Sequence, residues 1–599
     1  MSHNKKRNFA PIITILIIAL GIIAAAGFLL HSLFFGNGNG EADLHVPNMD
    51  EVNFFDYHRH LDARHIHVVI NGEIMTLPDA PLFIDGQLHL PAGFLREYVD
   101  RHIFWEKTSS RLTITNADEV MRFRPNEDEY TVNWEVHPLA HPIRQIAGMA
   151  YMSAEMIMEK YPVDIIFQAE YNFVILQSHR YRRMIYEVMM DEEEYEFIPK
   201  RFGSNDQYPI MARLYPGDRV TFFGDYYGGF YRVQTENGLS GYVLAENLRL
   251  INMIPAIPEI EQRRPVTRAA NEPVNLVWHL RNVGNPETWY VPHGVTVLSP
   301  VWLTFNEDLS GDIISRANHA YVNWAHSHGM EVWPMIQDAD RDGAFCSGIS
   351  RAVLTDAYVR DHVIAQLMGF VEYFNLDGIQ INYEVVQPDF AEEWIQFLRE
   401  LAVPMRRAGA VMSVTVKPPF PHNMFWNRTE IGLTSDYAII MAYDEHWSTK
   451  DTAGPVASFN FVANAVRNTL NEIPVDQVVL ALPTYVRIWR EEFVDGEWRL
   501  VDNNRLGVAQ RSVGMSYARN FIESRGGEFL WDYVIRQYYA EVEFEQNGTE
   551  MRYRVWLEDL RSIDEKLWLV GRYDLVGAAF WQKGLELPAM WELVYGHLN

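Results

Sequence analysis

The chain has 599 residues and a formal net charge of -28. Its length exceeds that of one ordinary domain, so several domains are expected. The acidic balance argues against nucleic acid as a partner. The single cysteine, Cys346, excludes an intrachain disulfide framework and a cysteine-based metal cluster.

The first 35 residues predict a short cytoplasmic tail and a transmembrane anchor. Three basic residues at 5–7 precede an uncharged apolar run from Ala10 to Leu30. A helix over that run is about 30 Å long, enough to span a bilayer. The basic flank favours a single-pass cell-membrane protein with a cytoplasmic N-terminus and extracytoplasmic domains. A cleaved signal peptide is the alternative, because Ala24-Ala25-Ala26 resembles a cleavage site.

A linker over 36–64 begins with the flexible sequence Gly36-Asn37-Gly38-Asn39-Gly40. An internal repeat then defines an α+β domain over 65–180, because Leu88-His89-Leu90-Pro91 and its following segment match the segment from Ala150-Tyr151-Met152-Ser153 onward. Each copy predicts a strand, a short helix and a hairpin. With Asn71-Gly72, this domain resembles the copper amine oxidase N-terminal-like domain of bacterial surface proteins, which is a non-catalytic module.

A small β-barrel is predicted over 185–252. Short strands at Tyr231-Arg232-Val233 and Gly241-Tyr242-Val243 are flanked by glycine-containing hairpin turns. The segment resembles a bacterial Src-homology-3-like domain, and such barrels often bind cell-wall peptides or polysaccharide. A spacer that binds nothing is the alternative, because fold does not imply function. A proline-containing linker over 253–272 marks the next boundary.

Strands alternate with helices over residues 273–599, and this pattern predicts a TIM (β/α)8 barrel. Helical patterns separate most strands, for example Thr355–Tyr373 and Phe390–Ala408. The longest gap, between the seventh and eighth strands, predicts a small α+β insertion with a hairpin around Gln546-Asn547-Gly548. The predicted strands are Asn275–Leu280, Val295–Leu303, Glu331–Ile336, Leu376–Glu384, Val411–Val416, Tyr437–Tyr443, Gln477–Leu482 and Val576–Trp581.

The fourth predicted strand carries polar residues on one face. Successive strand residues point to opposite faces, so Ile379, Ile381 and Tyr383 share a face opposite to that of Gln380, Asn382 and Glu384. In a barrel the apolar set packs under the helices and the polar set points inward. A carboxylate at the carboxyl end of such a strand is typical of a catalytic site, because barrel active sites lie at that end.

Three strands carry motifs that resemble glycoside hydrolase family 18. The sequence from Asp377 to Glu384 resembles the family signature Asp-Gly-x-Asp-x-Asp-x-Glu, and Met441-Ala442-Tyr443-Asp444 resembles its Met-x-Tyr-Asp strand. Trp581 stands where the family has its pocket-floor tryptophan. The resemblance is closest to the spore-cortex-lytic and peptidoglycan N-acetylglucosaminidase branch, in which Val555-Trp556-Leu557-Glu558-Asp559 recurs.

The resemblance implies a substrate-assisted retaining mechanism, in which the 2-acetamido oxygen of the sugar attacks the anomeric carbon. It assigns catalytic roles to Glu384, which would protonate the leaving oxygen, to Asn382 and to Tyr443, which would hold the acetamido group. It assigns substrate binding to a further set of residues, and it implies no cofactor and no metal. The substrate-binding set is Asp377, Gln380, Met441, Asp444 and Trp581.

Gln380 and Asn382 stand where the family has aspartates, and Asn382 is the larger departure. An amide oxygen still accepts a hydrogen bond from the acetamido N–H, but it supplies no charge to the oxazolinium cation. The loss of about 2–3 kcal/mol of transition-state stabilisation would slow the reaction roughly 30- to 200-fold. A neighbouring clan of endo-acting N-acetylglucosaminidases resembles this arrangement, since it pairs Asn with Glu for the same reaction.

The function predicted is a membrane-anchored glycoside hydrolase that cleaves β-1,4 bonds after N-acetylglucosamine in peptidoglycan or a chitin-like polymer. The alternative is an inactive barrel that binds cell-wall polysaccharide, with Tyr443 and Trp581 as core aromatics. The sequence allows two interpretations of Trp278, Trp302 and Trp333, namely platforms for sugar rings or packing in the core.

Two patterns resemble metal sites without matching one. Asp338-x-Asp340-x-Asp342-Gly343 begins like a calcium loop, but Ile349 stands where a glutamate is required. The histidines at 58, 60, 65 and 67 are better explained as a solvated segment.

Overall fold

The computed structural model of the protein describes residues 47–75, 77–190, 196–257, 273–280, 290–447, 452–501 and 512–599. The predicted anchor and residues 36–46 of the first linker therefore lie outside the described residues, as do residues 258–272 of the second linker. Within the described ranges, no helix is long and apolar enough to cross a membrane. The described residues form two compact units, and one of them combines the described residues of 47–63 with those of 182–255.

That first unit is built on one antiparallel sheet. Its strands meet at tight turns, for example Gly228-Gly229, where both residues have positive φ. A small core of aliphatic side chains and Phe222 lies between the strands. The elements are the helix Phe54–Tyr57 and the strands Arg183–Val188, Ile198–Arg201, Ile210–Leu214, Arg219–Tyr227, Phe230–Gln234, Ser240–Leu244 and Leu248–Ile254.

The second unit contains the internal repeat and the barrel. In the first copy of the repeat, the strand Gln87–Pro91 leads into the helix Ala92–Tyr98 and a hairpin. In the second copy, Met149–Ser153 leads into Ala154–Lys160 and its own hairpin. The two leading strands pair antiparallel, with Met152 opposite Leu90. The remaining strands are His67–Ile70, Glu73–Met75, Leu82–Ile84, Ile103–Glu106, Arg111–Thr115, Val120–Phe123, Glu129–Val132, Glu135–Pro138, Arg144–Ile146, Val163–Gln168 and Phe173–Ser178.

Eight parallel strands close into a barrel, as the sequence predicts, because the first strand pairs with both the second and the eighth. The third strand is interrupted at Trp333 and Pro334, since proline has no N–H for the ladder. The strands, numbered first to eighth in chain order below, are Val274–His279, Val297–Phe305, Glu331–Val332 with Met335–Gln337, Gly378–Asn382, Val411–Val416, Tyr437–Met441, Val478–Pro483 and Gly577–Trp581.

Helices cover the outside of the barrel. The longest begins at the Asp356 cap, whose carboxylate accepts from two backbone N–H groups, and ends at Asn375 in the left-handed region. The helices are His319–Ser327, Ser347–Thr355, Ala357–Phe374, Ala391–Arg407, Arg428–Thr434, Phe459–Thr469, Leu560–Tyr573 and Met590–Leu598. A short strand, Ile313–Ser315, extends the sheet at the second strand.

The insertion between the seventh and eighth strands forms a separate antiparallel sheet with one helix. Its main hairpin turns at Asn547 and Gly548, which both have positive φ, as a two-residue turn requires. The strands are Tyr485–Val494, Glu497–Leu500, Ser512–Gly514, Leu530–Asp532, Gln537–Gln546 and Thr549–Leu557, and the helix is Met515–Glu523.

Buried charges join the repeat domain to the barrel helices. The Arg360 guanidinium donates to Glu106 at 2.6 and 2.7 Å and to Glu400 at 2.9 Å. Arg111 and Arg122 of the repeat domain also reach Glu400, at 3.3 and 3.6 Å. Asp361 also pairs with Arg111 and Arg122, so three carboxylates face three guanidinium groups. Because the charges of this largely buried cluster balance, the contact holds the two domains in one arrangement.

Candidate active site

The fourth strand separates its side chains as predicted. Ile379, Ile381 and Tyr383 belong to the apolar layer between the strands and the helices. Gln380 faces the barrel interior, where its Oε1 accepts from the Trp278 indole N–H at 2.9 Å. The two sets therefore lie on opposite faces of the sheet.

The regular strand ends at Asn382, two residues before Glu384. The Glu384 main chain is held by side chains instead of by the ladder. Asp338, which follows the third strand, accepts from the N–H groups of Glu384 at 2.8 Å and Val385 at 3.0 Å. Lys417, which follows the fifth strand, donates to the Glu384 carbonyl oxygen at 2.8 Å.

Burial raises the pKa of the Glu384 carboxyl above its ordinary value. The negative charges of Asp338 and Asp444 act in the same direction, while the Lys417 charge and a hydrogen bond from Asn382 oppose them. A carboxyl with a raised pKa keeps its proton at higher pH, so Glu384 is suited to act as a general acid.

Asn382 is buried between two partners. Its Nδ2 donates to Glu384 Oε1 at 3.2 Å, and its Oδ1 accepts from the Thr415 hydroxyl. The amide oxygen predicted to accept from an acetamido N–H is therefore already engaged by Thr415. A carbonyl oxygen has two lone pairs, so it retains one for a second donor.

The sixth strand ends at Met441, which is 8% exposed, and Tyr443 and Asp444 follow it. Burial raises the pKa of the Tyr443 hydroxyl well above its ordinary value, and the charges of Glu384 and Asp444 add to that effect. The hydroxyl therefore keeps its proton and can donate a hydrogen bond. Asp444 accepts from the Tyr485 hydroxyl and from Arg487 Nη2, the latter at 2.7 Å.

Trp581 ends the eighth strand and is half-buried. Its ring lies 5.7 Å from the ring of Trp278, at an interplanar angle of 59°. Because Trp278 also donates to Gln380, these three side chains form one connected group of contacts inside the barrel. Trp278, Trp302 and Trp333 are themselves 0% exposed and therefore belong to the core.

Asp377 is not brought to this end of the barrel. It precedes the fourth strand, and its Oδ2 accepts from the Val332 N–H and from His326 Nε2, each at 2.8 Å. It therefore links the beginnings of the third and fourth strands, at the end opposite to Glu384.

The structure adds Asp338, Thr415, Lys417 and Arg487 to the neighbourhood of the predicted residues. Asp338, Thr415 and Lys417 lie at or just beyond the carboxyl end of a barrel strand, whereas Arg487 lies on the first strand of the insertion. A place at a strand end marks such residues as candidates, but it does not reveal their contacts. In the sequence, Asp338 stands out only as the first residue of an incomplete calcium-loop pattern. The next aspartate of that pattern, Asp340, accepts from three successive backbone N–H groups and closes a turn.

Among the described residues, no group of three or more histidine, cysteine or acidic side chains is arranged to hold a metal ion.

Residues 325–586 match the family model described as glycosyl hydrolases family 18. The barrel is a family 18 glycosyl hydrolase domain. The barrel thus belongs to a family of glycoside hydrolases, and the resemblance found in three strand motifs is confirmed. Two further matches cover the preceding domains, namely the copper amine oxidase N-terminal domain at 69–176 and the bacterial SH3 domain at 201–249.

Similar proteins include two from Bacillus subtilis. The uncharacterized glycosylase YvbX is 22% identical over 302 residues, which cover 49% of this chain and 82% of YvbX. A cortical fragment-lytic enzyme is 23% identical over 265 residues, which cover 43% of this chain and 58% of that enzyme. A solved structure, the Bacillus cereus spore cortex-lytic enzyme SleL, aligns with a TM-score of 0.46 at 17% identity, over 65% of this chain and 90% of SleL.

Proposed function

We propose that the family 18 barrel cleaves β-1,4 bonds after N-acetylglucosamine in peptidoglycan or a chitin-like polymer, with retention of configuration. The observation that carries the proposal is the half-buried Glu384 carboxyl, whose main chain is held at the carboxyl end of the barrel by Asp338 and Lys417 and whose pKa is raised by desolvation. A glycosidase needs one protonated carboxyl to assist departure of the leaving oxygen. Asn382 and Tyr443 supply the neighbouring amide and phenol groups.

The mechanism proposed is substrate-assisted. The acetamido oxygen of the sugar attacks the anomeric carbon while Glu384 transfers its proton to the glycosidic oxygen, and an oxazolinium ion forms as that bond breaks. Glu384, now ionised, then takes a proton from a water molecule that attacks the anomeric carbon and opens the oxazolinium ring. This step restores the protonated acid. Tyr443 would donate to the acetamido oxygen, and Trp581 would lie under the sugar ring.

Peptidoglycan is the polymer that the comparisons favour. The similar proteins include enzymes named as lytic for spore cortex fragments. The matched bacterial SH3 domain is also of a kind that often binds cell-wall material. Both observations support a cell-wall substrate above free chitin.

We also propose that residues 1–35 anchor the protein in the cell membrane, with the remaining domains outside the cytoplasm. The support is the apolar run from Ala10 to Leu30 behind three basic residues. Membrane fractionation and protease treatment of intact cells test this. The proposal predicts full-length protein in the membrane fraction that is digested from outside, and cytosolic, protected protein would contradict it.

The second candidate is an inactive barrel that binds wall polysaccharide. Asn382 favours it, because its amide carries no charge and its oxygen is already engaged by Thr415. In that case the protein would bind polymer without releasing products, and substitution of Glu384 would leave binding unchanged.

Hydrolysis of purified peptidoglycan by the full chain separates the two candidates. The enzyme hypothesis predicts soluble fragments that end in N-acetylglucosamine, identified by mass spectrometry, and their loss in Glu384→Gln. Glu393→Gln is the matched control, because Glu393 lies on an outer helix. Polymer binding with no product from the unmodified protein would refute the enzymatic proposal.

A further inference from the structure

Glu384 lies beyond the regular end of its strand, so its backbone groups need partners outside the sheet ladder. The strand ends at Asn382. Buried backbone groups without partners cost free energy comparable to a lost hydrogen bond. The two flanking strands supply those partners through residues that stand immediately after them. Asp338 follows the third strand, and Lys417 follows the fifth.

Asp338 is built into this position. Its side chain is completely buried, and both carboxylate oxygens are used, one by the N–H of Glu384 and the other by the N–H of Val385. The Ser350 hydroxyl, from the helix behind the loop, donates to the same carboxylate at 2.7 Å. Three donors around one buried carboxylate fix its orientation and satisfy its charge.

Lys417 closes the arrangement from the other side. Its ammonium donates to the Glu384 carbonyl oxygen at 2.8 Å and lies 6.0 Å from the Trp426 ring centre. One residue therefore has its N–H held from the third strand and its C=O held from the fifth. The fourth strand alone does not provide either contact.

We propose that Asp338 and Lys417 are positioning residues that clamp the main chain of Glu384 from the two neighbouring strands and so aim its carboxyl at the glycosidic oxygen. The proposal rests on the acid role of Glu384 proposed above. Neither side chain transfers a proton. A general acid displaced by about 1 Å loses up to about 100-fold in rate, so the clamp matters for turnover.

The two clamp residues carry opposite charges, and this makes their effect on Glu384 measurable. The groups that face Glu384 are Asp338, Asp444, Tyr443, Asn382 and Lys417. Burial dominates and raises the pKa of Glu384; the Asp338 charge raises it further, and the Lys417 charge lowers it. A side chain with a purely structural role would not move the pH profile in a direction set by its charge.

The test uses the full chain and chitooligosaccharide hydrolysis measured across pH. We expect Asp338→Asn to lower kcat about 10-fold. It should also move the alkaline limb of the pH–rate profile, where Glu384 loses its proton, to lower pH. Lys417→Met is expected to move the same limb to higher pH. Asp340→Asn, which alters only the adjacent turn, serves as the control and should move neither. The proposal would be overturned if the alkaline limb stayed in place in Asp338→Asn and Lys417→Met, or moved in the same direction in both.

Amide hydrogen exchange at Glu384 and Val385 gives a readout that does not depend on activity. We expect about 10-fold faster exchange at these two amides in Asp338→Asn and no change in Asp340→Asn. Unchanged exchange in Asp338→Asn would overturn the clamp. If the unmodified protein hydrolyses nothing, the proposed function fails while exchange still tests the clamp. Lys417 is half-buried, so its replacement by methionine should be tolerated. Lys417→Met therefore still tests the shift of the pH–rate profile if Asp338→Asn does not fold.

Discussion

Replacing Glu400 with glutamine should destabilise the unit formed by the repeat domain and the barrel. Glu400 is 0% exposed and accepts from Arg360 at 2.9 Å and from Gln396 at 2.9 Å. Arg111 and Arg122 lie at 3.3 and 3.6 Å. Glutamine keeps the shape of the side chain but leaves three guanidinium groups with one counter-charge fewer.

The magnitude follows from the pKa of Glu400. Burial alone would raise it, but Arg360, Arg111 and Arg122 outweigh burial and hold the pKa at about 2, against an ordinary 4.5. That difference corresponds to about 3 kcal/mol of stability at neutral pH. Because the folded-state pKa is lowered, the contribution is complete above about pH 5 and disappears as pH falls towards 2.

The assay is chemical unfolding of the full chain at pH 7 and at lower pH. We expect Glu400→Gln to lose about 3 kcal/mol at pH 7 and progressively less below pH 4.5. Glu392→Gln is the matched control, because its side chain is 68% exposed and its pair with Arg96 should contribute under about 1 kcal/mol. Equal free energies of unfolding for the two variants at pH 7 would refute the reasoning.

Three substitutions test the remaining parts of the site. Asn382→Asp should raise kcat about 30-fold, because a carboxylate would stabilise the oxazolinium cation and raise the pKa of Glu384; a slower enzyme in steady-state assays would contradict this. Thr415→Val should lower kcat/KM about 5-fold by removing the donor to Asn382, while Thr415→Ser should restore it; equal rates in the two variants would count against that role. Trp581→Ala should raise KM for N-acetylglucosamine oligomers at least 10-fold, whereas Trp568→Ala, at a side chain 52% exposed on an outer helix, should not.

The sequence predicted the barrel well because its strands alternate with helices and carry continuous apolar runs. It placed Ile379 and Ile381 on one face and Gln380 on the other, since a period of two leaves no other choice. It extended the fourth strand to Glu384 and the sixth to Tyr443, where the structure ends both earlier. Local pattern does not reveal where the ladder stops, because that depends on partners in other strands.

The sequence predicted only part of the site, because motifs identify residues on a strand but not their partners on other strands. Motifs identified Glu384 and Tyr443, which do converge at one end of the barrel. The same motif included Asp377, and the structure places it at the opposite end, since five strand residues separate it from Glu384. Asp338 and Lys417 could not be assigned from the sequence, because their roles depend on hydrogen bonds to a main chain at least 33 residues away.

The most direct test of the central claim compares leaving groups in the unmodified protein and in Glu384→Gln. A general acid matters only when the departing oxygen needs a proton. The account predicts that Glu384→Gln slows release of an oligosaccharide about 100-fold or more, yet barely affects release of a strongly acidic phenol from the same sugar. An equal loss with both substrates would contradict the assignment of Glu384 as the acid.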